Sequence, residues 1–293
     1  MPRVLRVIVP VVALSLSACG PATQSLKPVP PSHSVSPSSG SATKPVASPT
    51  ATPASDPSIV DAGSLATELA GVEQAIRIPD TTTEEYAVLG QRQQQAYHLL
   101  AAHSDWVAAV LNGIPGPLRA VIQDNLSAAQ QIDDLNGART TLPHWRIIVP
   151  PTSDVLLGYY RESQQSSGVQ WQYLAAINLI ETNMGRIQGL SSAGAQGPMQ
   201  FMPATWASYG RGDVNNPRDA ILAAGRYLHA HGGPQNMTRA IYAYNPSWLY
   251  VRAVQLYAKQ MFDDPHAFLG YYNWQVYVQT TKGEVLLPEG FTG

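Results

Sequence analysis

The sequence predicts a mainly α-helical body, and three observations predict it. Apolar side chains recur at the spacing of one helix face, beginning with Leu65, Leu69, Val72 and Ile76. Helix-starting residues stand where such runs begin, as at Thr82, Pro117, Pro203, Asn216 and Asn245. Stops follow them, at Gly137, at Gly232-Gly233-Pro234 and at Asp264-Pro265. The tail is the exception. Residues 275–281 and 284–287 flank Lys282-Gly283 in the pattern of a small β-hairpin.

Composition removes several functions. Lys and Arg number 18 against 20 Asp and Glu, a net charge of -2, so the chain lacks the basic excess that grips nucleic acid. A single Cys excludes an intramolecular disulfide framework and a multi-cysteine metal cluster. The 293 residues suffice for one or two cored domains.

The first element is an address. Arg3 and Arg6 precede an apolar stretch over residues 7–16, and Leu16-Ser17-Ala18-Cys19 follows. This is a secretory signal over residues 1–18, too short to span a bilayer. The Leu-Ser-Ala-Cys run resembles the lipobox of bacterial lipoproteins, which makes Cys19 the lipidated first residue of the exported protein. Residues 19–58 then form a linker. From Pro21 to Ser58 there are nine Pro and ten Ser with only Lys27, Lys44 and Asp56 charged, so the segment cannot bury enough surface to offset its ordering entropy. Proline-rich chain runs extended at ~3.1 Å per residue, which gives a tether on the order of 100 Å.

Residues 59–144 read as an N-terminal helical region. The Leu65 stripe makes its first helix, Thr82 and Glu85 form a capping-box pair for a second through Tyr97 and Leu100, and Pro117 opens a third that stops at Gly137. No catalytic cluster stands out there, and its polar residues read as solvated helix faces. A boundary lies near Trp145 and Ile147-Ile148-Val149, between Pro143 and Pro151.

Residues 145–274 form the second region. Five of the 6 Trp and twelve of the 14 Tyr lie between residues 145 and 277, and such polar-tipped aromatics suit sugar rings as well as ordinary packing. One helix runs through Tyr173, Ile177 and Ile180 toward Met184, one starts at Asn216-Pro217 with Ile221, Ala224 and Leu228, and a long one follows Asn245-Pro246. His229 and His231 are two apart and share no helix face, so they read as structural. The tail occupies residues 275–293.

Glu181 carries the chemistry. It follows Leu174 and Ile177 by seven and four residues, which places a carboxylate along an apolar stripe near a helix end. Burial disfavours the charged form, and a carboxyl kept protonated near neutral pH serves as a general acid. By itself the position better suits a last-turn glutamate that reaches solvent. After it, Ser191-Ser192-Ala193-Gly194-Ala195-Gln196-Gly197-Pro198-Met199-Gln200 carries glycines at tight turns, and Tyr242-Ala243-Tyr244-Asn245-Pro246 sets a phenol and an amide between two helices.

Those three motifs, in that order, resemble the lytic transglycosylase (SLT-like) domain of the lysozyme superfamily. The stretches from Met199 to Trp206, Asn216 to Ile221 and Ala243 to Ser247 look most like membrane-bound type B murein transglycosylases and related secreted actinobacterial forms. The resemblance covers roughly residues 150–265. It implies a lysozyme-like fold acting on peptidoglycan strands, with Glu181 as the catalytic acid and Ser191, Met199, Gln200, Tyr242, Tyr244 and Asn245 as substrate-binding residues. Tyr244 matches the tyrosine beside the carboxyl, and Asn245 fits a ligand contact or a helix cap. Where calcium-binding relatives carry an aspartate-rich loop, this chain has the short Gly210-Arg211-Gly212-Asp213-Val214-Asn215, so no metal or other cofactor is expected.

The implied reaction cleaves the β-1,4 bond between N-acetylmuramic acid and N-acetylglucosamine and forms 1,6-anhydromuramic acid, with Glu181 acting as acid and then base. A hydrolytic muramidase and a non-catalytic peptidoglycan-binding lipoprotein are the alternatives. The expected location is outside the cell, lipid-anchored to a bacterial membrane and facing the wall or periplasm. The helices of residues 59–144 leave room for a cell-wall protein partner.

Overall fold

The computed structural model describes residue 48, residues 50–51 and residues 59–293. The expected signal over residues 1–18, Cys19 and nearly all of the expected linker over residues 19–58 lie outside the described residues. In chain order the first elements are β1 (Thr50–Ala51), α1 (Ala62–Ile76), α2 (Thr83–Ala102), α3 (Val107–Gly113), α4 (Gly116–Asn136), β2 (Arg146–Ile147) and α5 (Ser153–Ser167). Then come α6 (Trp171–Thr182), β3 (Ile187–Gln188), α7 (Pro203–Tyr209), α8 (Pro217–Ala230) and α9 (Met237–Tyr244). The last are α10 (Trp248–Asp263), α11 (Ala267–Tyr272), β4 (Val276–Thr280) and β5 (Gly283–Leu287). The architecture is mainly α, as the periodicity and the resemblance both imply.

Local chemistry explains the helix starts. Asp61 accepts the Ser64 N–H at 2.8 Å while the Ser64 hydroxyl reaches back to the Asp61 N–H, and Thr82 and Glu85 repeat the arrangement at α2. Each pair satisfies two donors that a helix N-terminus leaves unbonded. Pro117 sits in the first turn of α4, one residue later than the N1 position the sequence suggests, and Gly137 ends that helix with φ 62°. Asn216 caps α8 by accepting the Asp219 N–H at 3.2 Å. The short helices α3 and α11 were not marked by any periodic run, because six or seven residues hold too few turns to show a stripe.

One apolar core runs through the helical body. It joins Leu65, Tyr97 and Ile122 of the N-terminal helices to Ile177, Ile221, Val254 and Phe268 of the later ones. α10 is its axle, burying Tyr250, Val251, Val254, Tyr257, Ala258 and Met261 against α4, α6 and α9. The tail forms the expected hairpin, β4 pairing antiparallel with β5 from Val276↔Leu287 to Thr280↔Gly283. β1 adds to its outer edge through Thr50↔Leu286, within the stretch the sequence reads as linker. Beneath the hairpin a second small core gathers Ile147, Val276, Val278, Leu287 and Phe291.

Near the expected boundary, Arg146 and Ile147 pair with Gln188 and Ile187 as β2 and β3. His229 and His231 each bond a backbone carbonyl, of Ser167 at 2.8 Å and of Tyr227 at 2.7 Å, so both act as packing residues. Among the described residues no helix is long and apolar enough to cross a membrane. None of them form a group of three or more His, Cys, Asp or Glu that could hold a metal ion.

Candidate active site

α6 terminates abruptly. Asn183 and Met184 take left-handed conformations with φ 50° and 61°, and the N–H groups of both fold back onto Leu179 and Asn178 carbonyls. Glu181 therefore stands in the last turn, four residues beyond the fully buried Ile177. Its side chain is half-buried and borders a cavity of about 480 Å³, within the usual size of ligand sites.

Among the described residues one hydrogen bond reaches this carboxyl. The Tyr250 hydroxyl, on the first turn of α10, donates to Glu181 Oε1 at 2.6 Å. Burial pushes the Glu181 carboxyl up to about 7 from an ordinary 4.5, and the Tyr250 bond partly opposes that rise. The cause is the cost of placing an ionised carboxylate away from water with a single donor to compensate it. Burial, and then the nearby Glu181 charge, hold the Tyr250 phenol well above its usual range, so it stays a neutral donor.

The following loop is clamped to the helix that carries Glu181. Asn178 Nδ2 and Thr182 Oγ1 both donate to the Pro198 carbonyl, at 2.8 and 2.6 Å. Gln196 and Phe201 exchange backbone bonds across the turn, and Gln200 sits at its corner with φ 49°. Gly197 is obligatory here, since a Cβ on it would stand 2.0 Å from the Val214 carbonyl oxygen, and its φ is 72°. Ser191 turns its hydroxyl inward to accept the N–H groups of Ala193 and Ala195 at 3.2 and 3.0 Å.

Of the residues singled out from sequence, Glu181, Ser191, Gln200 and Asn245 line one cavity. Asn245 also ends α9, its N–H bonding the Ile241 carbonyl at 3.1 Å, but it does not open the next helix as the sequence suggests, since Ser247 stands at the N-cap of α10. The other three stand elsewhere. Met199 is fully buried and contributes its carbonyl, which accepts the Tyr244 hydroxyl at 2.6 Å. Tyr244 thus braces the loop while standing near enough for the Glu181 charge to help raise its phenol, and the tyrosine that donates to the carboxyl is Tyr250. Tyr242 lies on the surface with its ring 4.8 Å from that of Trp248.

Tyr250 was legible in principle. Tyr250, Val254, Tyr257 and Met261 form one buried stripe, and a stripe that begins with a polar-tipped ring has to aim its hydroxyl at something. The far wall of the cavity was not legible. Gln94 and His98 from α2, Asp133 from α4, Trp274 beside the hairpin and Tyr277 within it line the wall, far from Glu181 in sequence. Trp274 ties the walls together: its Nε1 donates to Gln93 Oε1 at 2.9 Å and its carbonyl accepts Asn183 Nδ2 at 3.1 Å. Three other acids are otherwise engaged, whereas Asp133 lines the same cavity and burial raises its carboxyl. Glu162 is paired with Arg218, Asp219 accepts the Asp213 N–H at 3.0 Å, and Glu284 lies 2.9 Å from His98 Nδ1.

Residues 158–261 match the family model of the transglycosylase SLT domain. A stretch of 70 residues is 36% identical to a protein of Thiobacillus denitrificans named membrane-bound lytic murein transglycosylase F, covering 24% of this chain. The aligned stretch spans 15% of that relative's length. No solved structure matches the chain.

Proposed function

We propose, from the premise that residues 158–261 form a transglycosylase SLT domain, that this protein is a lytic transglycosylase acting on peptidoglycan. The bond cut is the β-1,4 linkage from N-acetylmuramic acid to N-acetylglucosamine. What carries the reading is Glu181, a carboxyl that borders the cavity with one hydrogen bond from Tyr250 and is raised to about 7. Such a group is part protonated at neutral pH, so it both gives and takes a proton.

In the first half of the reaction the Glu181 carboxyl gives its proton to the glycosidic oxygen as the bond to the muramic acid anomeric carbon breaks. The acetamido oxygen of the same sugar shares the positive charge, in the substrate-assisted manner that replaces a second carboxylate. In the second half the 6-hydroxyl attacks the anomeric carbon and its proton goes to Glu181. The carboxyl ends as it began, no water is consumed, and the product is a 1,6-anhydro ring. Tyr250 keeps one carboxyl oxygen fixed throughout, and Gln200 and Asn245 offer amides to the sugars along the same wall.

Digestion of murein sacculi with the full chain, followed by mass spectrometry, tests the reading. It predicts anhydro ends; reducing ends, heavier by one water, would assign a hydrolytic muramidase. Undiminished cleavage by a Glu181→Gln variant would move the acid elsewhere, and no cleavage by the parent would leave a binding lipoprotein. The anchor at Cys19 belongs to the same proposal and rests on residues 16–19 alone. It predicts that Cys19→Ala releases the protein from membranes.

A further inference from the structure

Part of the far wall of the Glu181 cavity is a built unit from outside residues 158–261. Arg139 is fastened to the hairpin at both backbone groups: its N–H donates to the Gln279 carbonyl and its carbonyl accepts the Thr281 N–H, each at 2.9 Å. Its guanidinium lies 5.4 Å from the centre of the Trp145 ring. Trp145 rests in turn on Gly189, where a Cβ would come within 2.7 Å of the indole Cδ1 and push the ring away. A flat cation over a flat ring, with the backbone on either side pinned, is a preorganised arrangement.

Charge completes the case. Arg139 and His98 are the basic side chains lining the cavity, and His98 is already bonded to Glu284 at 2.9 Å. The Arg139 guanidinium makes no ion pair among the described residues, although Asp133 and Glu284 line the same cavity. A guanidinium presents a fork of donors that matches a carboxylate, and the indole face leaves that fork free at its edge.

We propose that Arg139, held over Trp145, is a specificity-determining residue that receives a carboxylate of the substrate in the Glu181 cavity. The assignment rests on the peptidoglycan reading. That polymer supplies carboxylates from two sources: the lactyl group of a muramic acid that has lost its peptide, and the stem peptide itself. In the first case the enzyme favours strands already stripped of peptide; in the second it favours strands that still bear it.

Calorimetric binding to the full chain carrying Glu181→Gln separates the two. The probes are a murein tetrasaccharide with free lactyl carboxylates, the same with those groups amidated, the same bearing stem peptides, and chitotetraose. Adding Arg139→Gln is expected to weaken binding of one carboxylate-bearing probe by about tenfold, the loss of one charge-assisted contact. Arg139→Lys restores part of it, and the amidated probe and chitotetraose are bound equally by all variants. Weakening confined to the stripped tetrasaccharide names the lactyl group, and weakening confined to the peptide-bearing one names the stem. An Arg139→Gln protein that binds every probe as tightly as the Arg139 protein does overturns the assignment while leaving the peptidoglycan reading intact. Failure of the parent to bind any glycan overturns both. Arg139 is exposed, so unchanged melting of its variants separates lost recognition from lost folding.

Discussion

Two glutamates in this molecule, one fully buried and one half-buried against a cavity, have surroundings that differ in kind. Glu73, between α1, α2 and α4, is fully buried and receives Gln93 Nε2 at 3.0 Å, the Tyr97 hydroxyl at 2.5 Å, Asn125 Nδ2 at 3.2 Å and the Arg77 guanidinium. Glu181 borders a cavity and receives Tyr250. The first carboxylate has a counter-charge and fixed dipoles to replace its hydration, so it serves as a staple among helices. The second has one donor and no basic partner within its own wall, so burial keeps its proton available. Burial therefore does not identify a reactive acid; the number of groups that answer its charge does.

The sharpest way to break the comparison is to exchange each acid for its amide. Glu181→Gln is expected to cut turnover on sacculi by about 10³-fold, within the range for a lost general acid. Its effect on folding should be the opposite and depend on pH. A glutamate whose folded value is raised favours folding fully below the ordinary 4.5 and loses that contribution as pH rises through about 7. Denaturant melts of parent and variant should thus coincide at pH 4, and at pH 8 the variant should be more stable by roughly 2 kcal/mol, allowing for partial exposure. Glu73→Gln should do the reverse. It leaves Arg77 without its partner and should cost about 3 kcal/mol of stability, while turnover per folded molecule stays near the parent value.

A smaller effect sharpens the account of the two tyrosines. Tyr250→Phe removes the one bond that lowers the Glu181 carboxyl, so the alkaline limb of the activity profile should move upward in pH, with turnover falling about tenfold. Tyr244→Phe loses a bond to the Met199 carbonyl, which should cost about 1 kcal/mol of stability and leave that limb in place. Equal displacement of the limb by both variants would remove Tyr250 from its special position.

Much of this was legible along the chain, for physical reasons that also set the limit. Helix spans, caps and stops are written in neighbouring residues, so the Leu65 stripe, the Thr82–Glu85 box and the hairpin at Lys282-Gly283 emerge where the sequence places them. Glu181 was visible because a carboxylate on an apolar stripe violates the local pattern. Its hydrogen-bond donor is not the motif tyrosine: Tyr244 lies near the carboxyl, but its hydroxyl bonds the loop, and the crossing of α10 over α6 brings the Tyr250 hydroxyl. The wall holding His98, Asp133 and Arg139 was illegible, because residues read as solvated helix faces line a cavity only once the hairpin and α4 are brought opposite α6. Local patterns report what one element needs; only packing reports what two elements enclose.

The most direct test is to titrate the Glu181 side-chain carboxyl itself. Carbon-13 NMR of the selectively labelled full chain, with Glu181→Gln to assign the signal, follows that group alone through its midpoint. The account predicts a midpoint near 7 in the parent, moving higher in Tyr250→Phe. A midpoint near 4.5, insensitive to Tyr250, would contradict it, for the carboxyl would then be fully ionised at neutral pH and have no proton to give.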